Sequence, residues 1–324
     1  SVKGAWHRGR SFGLSASNGD DLWLLETNDD GDPAAFVDHI EFAASDPGRT
    51  LGRWLDGEGY DTLFPMISDT KAASNSGPLL GPVFLSEVHY HPSGPDNHEF
   101  VEVTNQGTSP ISLANWKIRG GVDFDFTANH TLAPGASIVL VSFDPVIDSS
   151  LATNFRATFQ IDNSVVLAGP FADGPLNDGQ GTVRLQKAGP APDFSQITVD
   201  EVRYFAAIPW PAGAAGNGSS LHRIPALRFG NFASSWIAAA PTPGSSAGET
   251  YSDWAAANGV AGSNEDPDGD QLSNLLEFAM GTDPRSYTDQ PAYSLSNGTI
   301  TFPLHTGRQG VQLVFEISSN LEDW

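Results

Sequence analysis

The sequence predicts an all-β protein organised as β-sandwiches, and three observations carry that prediction. Glycine and proline are plentiful, 34 and 23 of 324 residues. They cut the apolar residues into short runs, the pattern of many strands joined by turns rather than of helical bundles. Hydrophobic residues make up 39% and aromatic residues 10% of the chain, enough to fill packed cores. The stretch 81–112 alternates apolar and polar side chains on both sides of a turn-rich loop, which is the period of half-buried strands. At a soft prior of ~150 residues per domain, the length allows two or three domains.

Residues 1–77 are expected to form the back half of a domain whose complete copy follows at 80–247. The reason is internal repetition. Asn18-Gly19 aligns with Gln180-Gly181, Val37-Asp38 with Val199-Asp200, Ile40 with Val202, and Phe42 with Tyr204. Further on, Gly48-Arg49-Thr50-Leu51-Gly52-Arg53 aligns with Gly218-Ser219-Ser220-Leu221-His222-Arg223. A two- or three-strand sheet buries too little to be stable alone, so this half copy is expected to lack partner strands. The chain opens inside a domain pattern and is expected to be a fragment of a longer protein. Ser74-Asn75-Ser76-Gly77-Pro78 reads as a linker.

The complete copy begins with a hairpin. Val83, Leu85, Glu87 and His89 alternate with Phe84, Ser86, Val88 and Tyr90. The residues from His91 to Asn97 break the strand, and Phe100, Val101 and Val103 resume it before the turn at Asn105-Gln106-Gly107. Leu113–Ile118, Ser137–Ser142, Val183–Leu185 and Val199–Tyr204 read as further strands, and Leu132-Ala133-Pro134-Gly135 as a turn. The stretch from Ile208 to Gly218 reads as an irregular loop. Trp116, Trp210 and Trp236 are expected in the core, since buried aromatics carry much of a sandwich interior.

In order and spacing these segments resemble the lamin-tail domain, an immunoglobulin-like β-sandwich. The resemblance rests on Leu85-Ser86-Glu87-Val88-His89-Tyr90-His91-Pro92, Glu99-Phe100-Val101-Glu102-Val103-Thr104-Asn105, Leu113-Ala114-Asn115-Trp116, Leu132-Ala133-Pro134-Gly135, Val199-Asp200-Glu201-Val202-Arg203-Tyr204 and Pro241-Thr242-Pro243-Gly244. It implies one complete copy at 80–247 and the C-terminal half of another at 1–77. In bacteria such domains resemble accessory modules of secreted proteins.

Residues 248–290 change character. Ser252–Asn258 is a short helix stopped by Gly259, and about Leu272 to Met280 a second, ended by Gly281. Between them, Asp266, Asp268 and Asp270 occupy positions 1, 3 and 5 of a twelve-residue loop. Leu272 offers a backbone carbonyl at position 7, Asn274 stands at 9, and Glu277 at 12. Ca2+ takes six to eight oxygens, and alternate carboxylates running into a helix supply them. Position 6 departs from the EF-hand pattern with Gln271 in place of glycine. The loop also resembles thrombospondin type 3 and dockerin loops, and its expected role is to stiffen a junction. An acidic helix N-terminus favoured by the helix dipole is the plainer alternative. Residues 291–324 return to strands at Ser294–Ser296, Thr299–Phe302 and Val311–Ile317. They close on Ser318–Trp324, which resembles the start of a small C-terminal β-domain.

Composition excludes several chemistries. Lys and Arg total 16 against 39 Asp and Glu, a net charge of −23, and no basic cluster exists to hold a phosphate backbone, so nucleic acid is not an expected partner. With no cysteine, disulfides and thiolate sites are absent. No run of ~18 apolar residues predicts a membrane span, no phosphate-cradling loop occurs, and no nucleophile elbow or triad is ordered. The expected function is a non-catalytic, calcium-stabilised adhesion or scaffold segment of a secreted or cell-surface protein. Its partners would be a polysaccharide, a cell-surface protein or neighbouring domains. Two rivals are a carbohydrate-binding accessory module with exposed tryptophans and a metal-dependent hydrolase. The hydrolase would use His89, His91 and a nearby carboxylate, with Glu87, Glu99 and Glu102 at hand. Glutamates on a sandwich strand are otherwise expected to be solvated.

Overall fold

A computed structural model describes residues 13–55, 59, 61–161, 163–189, 195–224, 229–244, 249–291, 294–296, 299–301 and 308–309. Four strands come first: β1 (Asp20–Thr27), β2 (Pro33–Phe42), β3 (Leu51–Leu55) and β4 (Asp61–Pro65). The sandwich follows. Its N-terminal strands are β5 (Val83–His89), β6 (Phe100–Asn105), β7 (Ile111–Ser112), β8 (Lys117–Gly120), β9 (Phe124–Asp125), β10 (Thr131–Leu132) and β11 (Ser137–Val141). After the helix α1 (Ser149–Phe159) come β12 (Val166–Ala168), β13 (Gln180–Ala188), β14 (Gln196–Phe205), β15 (Ser220–Arg223) and β16 (Trp236–Ala239).

One sheet runs β12-β11-β6-β5-β15-β16 and the facing sheet β14-β13-β8-β9. Between them Leu85, Val88, Val101, Val103 and Leu140 meet Ile118, Val183, Leu185, Val202 and Tyr204, all fully buried. The alternation along β5 is broken in the middle. Its register against β6 shifts between Leu85 and Glu87, so Ser86 is the extra residue of a β-bulge. The core side therefore passes from Val83 and Leu85 to Val88 and Tyr90. Glu87 and His89 fall on the opposite face.

That outer face is not left to solvent. Phe100, Val139, Val141 and Phe143 form a second core with Ala152 and Phe155 of α1. The helix goes unnoticed in a reading built on strands, although Leu151, Phe155 and Phe159 carry its four-residue spacing.

Ahead of the sandwich, β1 pairs with β2 and β3 with β4, both antiparallel. The stretch expected to be a linker folds back on β4. Leu79 N donates to Pro65 O at 2.7 Å and Ile67 N to Gly77 O at 3.0 Å, and Asn75 Nδ2 donates to Arg53 O at 2.8 Å. Phe64 and Met66 then bury against Phe229 of the sandwich, and Lys187 Nζ lies 2.6 Å from Asp46 Oδ2. Backbone pairing and apolar contact replace the free linker.

Beyond the sandwich, β17 (Glu249–Thr250) leads into α2 (Tyr251–Asn258) and α3 (Asn274–Met280). These helices share a small core of Trp254, Ala255 and Phe278. β18 (Ser294–Ser296) pairs with β19 (Thr299–Thr301), and β17 pairs in parallel with β20 (Arg308–Gln309). The strand expected at 311–317 and the terminal motif 318–324 lie outside the described residues.

Candidate metal centre

The polar motif residues of the sandwich are consumed by its architecture. Glu87 and Glu102 are opposite one another on β5 and β6, and both are 0% exposed; the expectation that strand glutamates are solvated fails here. Each grips a segment arriving from far along the chain. Glu87 Oε1 accepts from Ser220 Oγ at 2.5 Å and Thr242 N at 3.1 Å. Glu102 accepts from Ser86 Oγ at 2.5 Å and Gly244 N at 2.6 Å. Gly244 is required at its site: its φ is +86°, and a Cβ there would come within 2.3 Å of Val165 Cγ1. Burial, then the charge of Glu102, pushes Glu87 well above the ordinary carboxylate range, and burial raises Glu102. Asn105, also fully buried, donates through Nδ2 to the carbonyls of Ser109 and Leu132, both at 3.0 Å. It thereby ties the turn after β6 to the Leu132–Gly135 turn. Asp200 Oδ2 accepts from Leu85 N at 2.8 Å and from Arg223 Nη2 at 2.6 Å, linking the two sheets. Glu99 accepts from Leu176 N at 2.8 Å, and burial raises it to about 7.

His89 and His91 do not meet. His89 is buried against Phe100 and Phe159, its Nδ1 3.2 Å from His98 O; burial lowers it to about 4. His91 lies at the other side of the bulged strand's end, with Nε2 3.7 Å from Asp178 Oδ2 and its ring against Gly216. The expectation of a shared face fails because β5 ends at His89, so two-residue alternation no longer holds beyond it. A third imidazole, His222, missed by a reading confined to the hairpin, faces Glu87 at 3.3 Å and is neutralised by burial, its pKa lowered to about 4.

Trp210 and Trp236 are 2% and 3% exposed, with ring centroids 6.4 Å apart. Trp116 is half-buried against the same core. None of the three forms an open, coplanar platform.

The acidic loop is built differently. Among the described residues, Asp266, Asp268 and Asp270 are the one set of three metal-ligating side chains with oxygens within 4.8 Å of one another. The loop backbone is wound around them. Asp266 Oδ1 accepts from Gly269 N at 2.8 Å, its Oδ2 from Gln271 N at 3.0 Å, and Asp270 Oδ1 from Leu272 N at 2.8 Å. Ser273 caps α3 and Gly281 ends it with φ +82°, so the helix starts two residues later than expected. This places Asn274 and Glu277 in its first turn, behind the aspartates. Glu277 is 0% exposed and neither carboxylate oxygen has a hydrogen-bond partner; Asn274 Oδ1 is in the same condition. Buried polar atoms are nearly always satisfied, so three such oxygens in the first turn of α3 call for a partner, yet the structure leaves Glu277 outside the 4.8 Å cluster of the three aspartates. Burial, and then the charges of Asp268, Asp270 and Asp266, raise Glu277 to about 7. Gln271, at position 6, adopts φ +78°. The turn thus demands the left-handed conformation that glycine supplies in EF-hands. Gln290, which local spacing could not connect to the loop, donates to Asp270 Oδ2 at 2.6 Å.

The Lamin Tail Domain family model matches residues 78–205. The matched segment holds β5 to β14 of the immunoglobulin-like sandwich, a fold that in this family is generally non-catalytic, and β15 and β16 lie beyond it. Among solved structures the chain is similar to a DUF4876 family protein from Bacteroides thetaiotaomicron. The two are 12% identical, the match covers 64% of this chain and 84% of that chain, and the TM-score is 0.33. No curated protein matches the chain significantly.

Proposed function

We propose that this chain is a non-catalytic scaffold segment in which a lamin-tail sandwich is followed by a calcium-stiffened helical junction. The observation that carries the reading is Glu277, fully buried with both oxygens unbonded and raised by the charges of Asp268, Asp270 and Asp266, although it stands outside the 4.8 Å cluster those three form. An unpaired buried carboxylate costs several kcal/mol unless a cation or a proton neutralises it. The donors are all oxygens: Asp266, Asp268, Asp270, Asn274, Glu277 and the Leu272 carbonyl, the hard set that Ca2+ prefers. Calcium bound here would lock the loop to α3, and through Phe278 to the α2 core.

The sandwich supports a passive role. Glu87, Glu102, Asn105 and Asp200 hold strands and loops together, and among the described residues the one place where a hydroxyl, an imidazole and a carboxylate converge, Ser220, His222 and Glu87, is sealed from solvent at 0%, 1% and 0% exposure. Secretion or display at a cell surface, and adhesion to a polysaccharide or surface protein, are parts of the same proposal. Millimolar calcium outside cells would keep such a loop filled, and the net charge of −23 favours solubility there. Calorimetric titration of the chain with calcium tests the junction, and retention on insoluble polysaccharides with and without chelator tests adhesion. No calcium uptake would overturn the first. No retention on any polymer would leave a spacer rather than an adhesive segment.

A further inference from the structure

The hairpin β1–β2 repeats the geometry of β13–β14 pair for pair. Leu22 opposes Ile40 as Val183 opposes Val202; Leu24 opposes Asp38 as Leu185 opposes Asp200; Asp20 opposes Phe42 as Gly181 opposes Tyr204, so on β1 the match runs one residue later than the alignment of Gly19 with Gly181. The register shift follows at the same place, after Leu24 and after Leu185. The link to the next strand is repeated too. Arg53 Nη2 donates to Asp38 Oδ1 at 2.7 Å, as Arg223 Nη2 does to Asp200 Oδ2 at 2.6 Å.

The two hairpins differ in how far they are covered. In β13–β14, Val183, Leu185 and Val202 are 0% exposed, and the Arg223–Asp200 pair is sealed, with side chains 0% and 2% exposed. In β1–β2, Leu24 is 59% exposed, Leu22, Ile40 and Phe42 are only half-buried, and the Arg53 and Asp38 side chains are 35% and 44% exposed. The intact copy also shows what does the sealing. β5 and β6 lay Leu85, Val88, Val101 and Val103 on that face, and the Leu85 amide donates to Asp200 at 2.8 Å.

We infer that the face made by Leu22, Leu24, Ile40 and Phe42 is a docking surface for the front half of a second lamin-tail sandwich. Its occupant is an antiparallel strand pair of the β5–β6 kind. The first strand would place an apolar row on these residues and donate one backbone amide to Asp38, completing the Asp38–Arg53 pair as Leu85 completes Asp200–Arg223. Two hairpin strands alone bury too little to be held firmly. Closure would therefore appear as a gain in local stability of β1–β2.

The test uses this chain's own front half as the probe. Residues 78–176 are repeated ahead of Gly13 in the otherwise full chain, and amide hydrogen exchange of β1 and β2 is compared with that of the unextended chain. The amides of Leu22, Leu24 and Ile40 should slow by about 100-fold or more, toward the rates of Val183 and Val202. Leu24→Asp in the extended chain should abolish that gain, while leaving exchange of β13–β14 unchanged as a check that the intact copy is folded. Unchanged exchange in the extended chain would overturn the inference. So would concentration-dependent protection of β1–β2 in the unextended chain, which would make the occupant a second copy. Neither outcome depends on calcium.

Discussion

Glu277→Gln separates the cost of a buried charge from the gain of a bound ion. In the ion-free chain the Glu277 carboxyl rises from its usual 4.5 to about 7. At 1.36 kcal/mol per tenfold, an ionised Glu277 thus costs about 3 kcal/mol more in the fold than in the unfolded chain. Glutamine has the same shape and no charge, but its amide also goes unpaired, which costs ~1–3 kcal/mol. In chelator near pH 8 the variant should therefore match or exceed the parent, by ~0–2 kcal/mol. If the loop binds calcium as proposed, the order reverses. At a concentration ~1,000 times the dissociation constant, the parent gains about 4 kcal/mol by mass action, whereas the variant, without its bidentate carboxylate, should gain ~1 kcal/mol or less. Amide exchange of Leu276 and Phe278, on either side of the substituted position in α3, reads this local stability directly. A variant less stable than the parent in chelator, yet equally protected by calcium, would refute the reasoning.

Four further outcomes follow from the same contacts. Gln271→Gly should stabilise the loop by ~1 kcal/mol, because it relieves a left-handed residue at φ +78°; thermal unfolding in chelator checks it. Trp210→Ala should cost ~3–5 kcal/mol in urea unfolding and half-buried Trp116→Ala clearly less, since a cavity forms only where packing closes around the lost ring. Glu102→Ala leaves the Gly244 amide without its acceptor, while the Ser86 hydroxyl keeps Thr104 Oγ1 at 2.6 Å, so a loss of ~1–3 kcal/mol is expected, with faster exchange of the Gly244 amide. His89 titrates near 6.5 when unfolded and at about 4 when folded, so the unfolded chain binds more protons between these values. Stability at this site should fall as pH drops from about 6.5 to 4, by up to about 3 kcal/mol. His89→Leu should flatten that part of the urea-midpoint profile.

Much of this molecule is legible locally. Period-two alternation, Pro-Gly punctuation and the 24-residue spacing from Leu14 to Asp38 and from Leu176 to Asp200 announce the hairpins and their repetition. The carboxylates of the acidic loop sit at fixed offsets in a tight turn running into a helix, so Asp266, Asp268, Asp270 and Glu277 could be named before their geometry was known. Hairpin pairing and the clustering of the loop carboxylates involve segments adjacent in the chain, and near neighbours leave a pattern in the sequence.

Other features belong to the tertiary structure alone. Glu87 and Glu102 look like solvated strand residues until Thr242 and Gly244, more than 140 residues away, lay their amides on them. The bulge at Ser86 exchanges the faces of β5, and only pairing with β6 reveals it. His89 and His91 part company because the strand ends between them. The linker becomes a strand partner because Pro65 and Ile67 offer it hydrogen bonds. Burial decides each case, and burial depends on which distant segments arrive to exclude water. Sequence determined the strands, their repetition and the carboxylate spacing of the acidic loop. Tertiary structure decided which polar groups lost their water, because desolvation is a property of the assembled surroundings rather than of a residue and its neighbours.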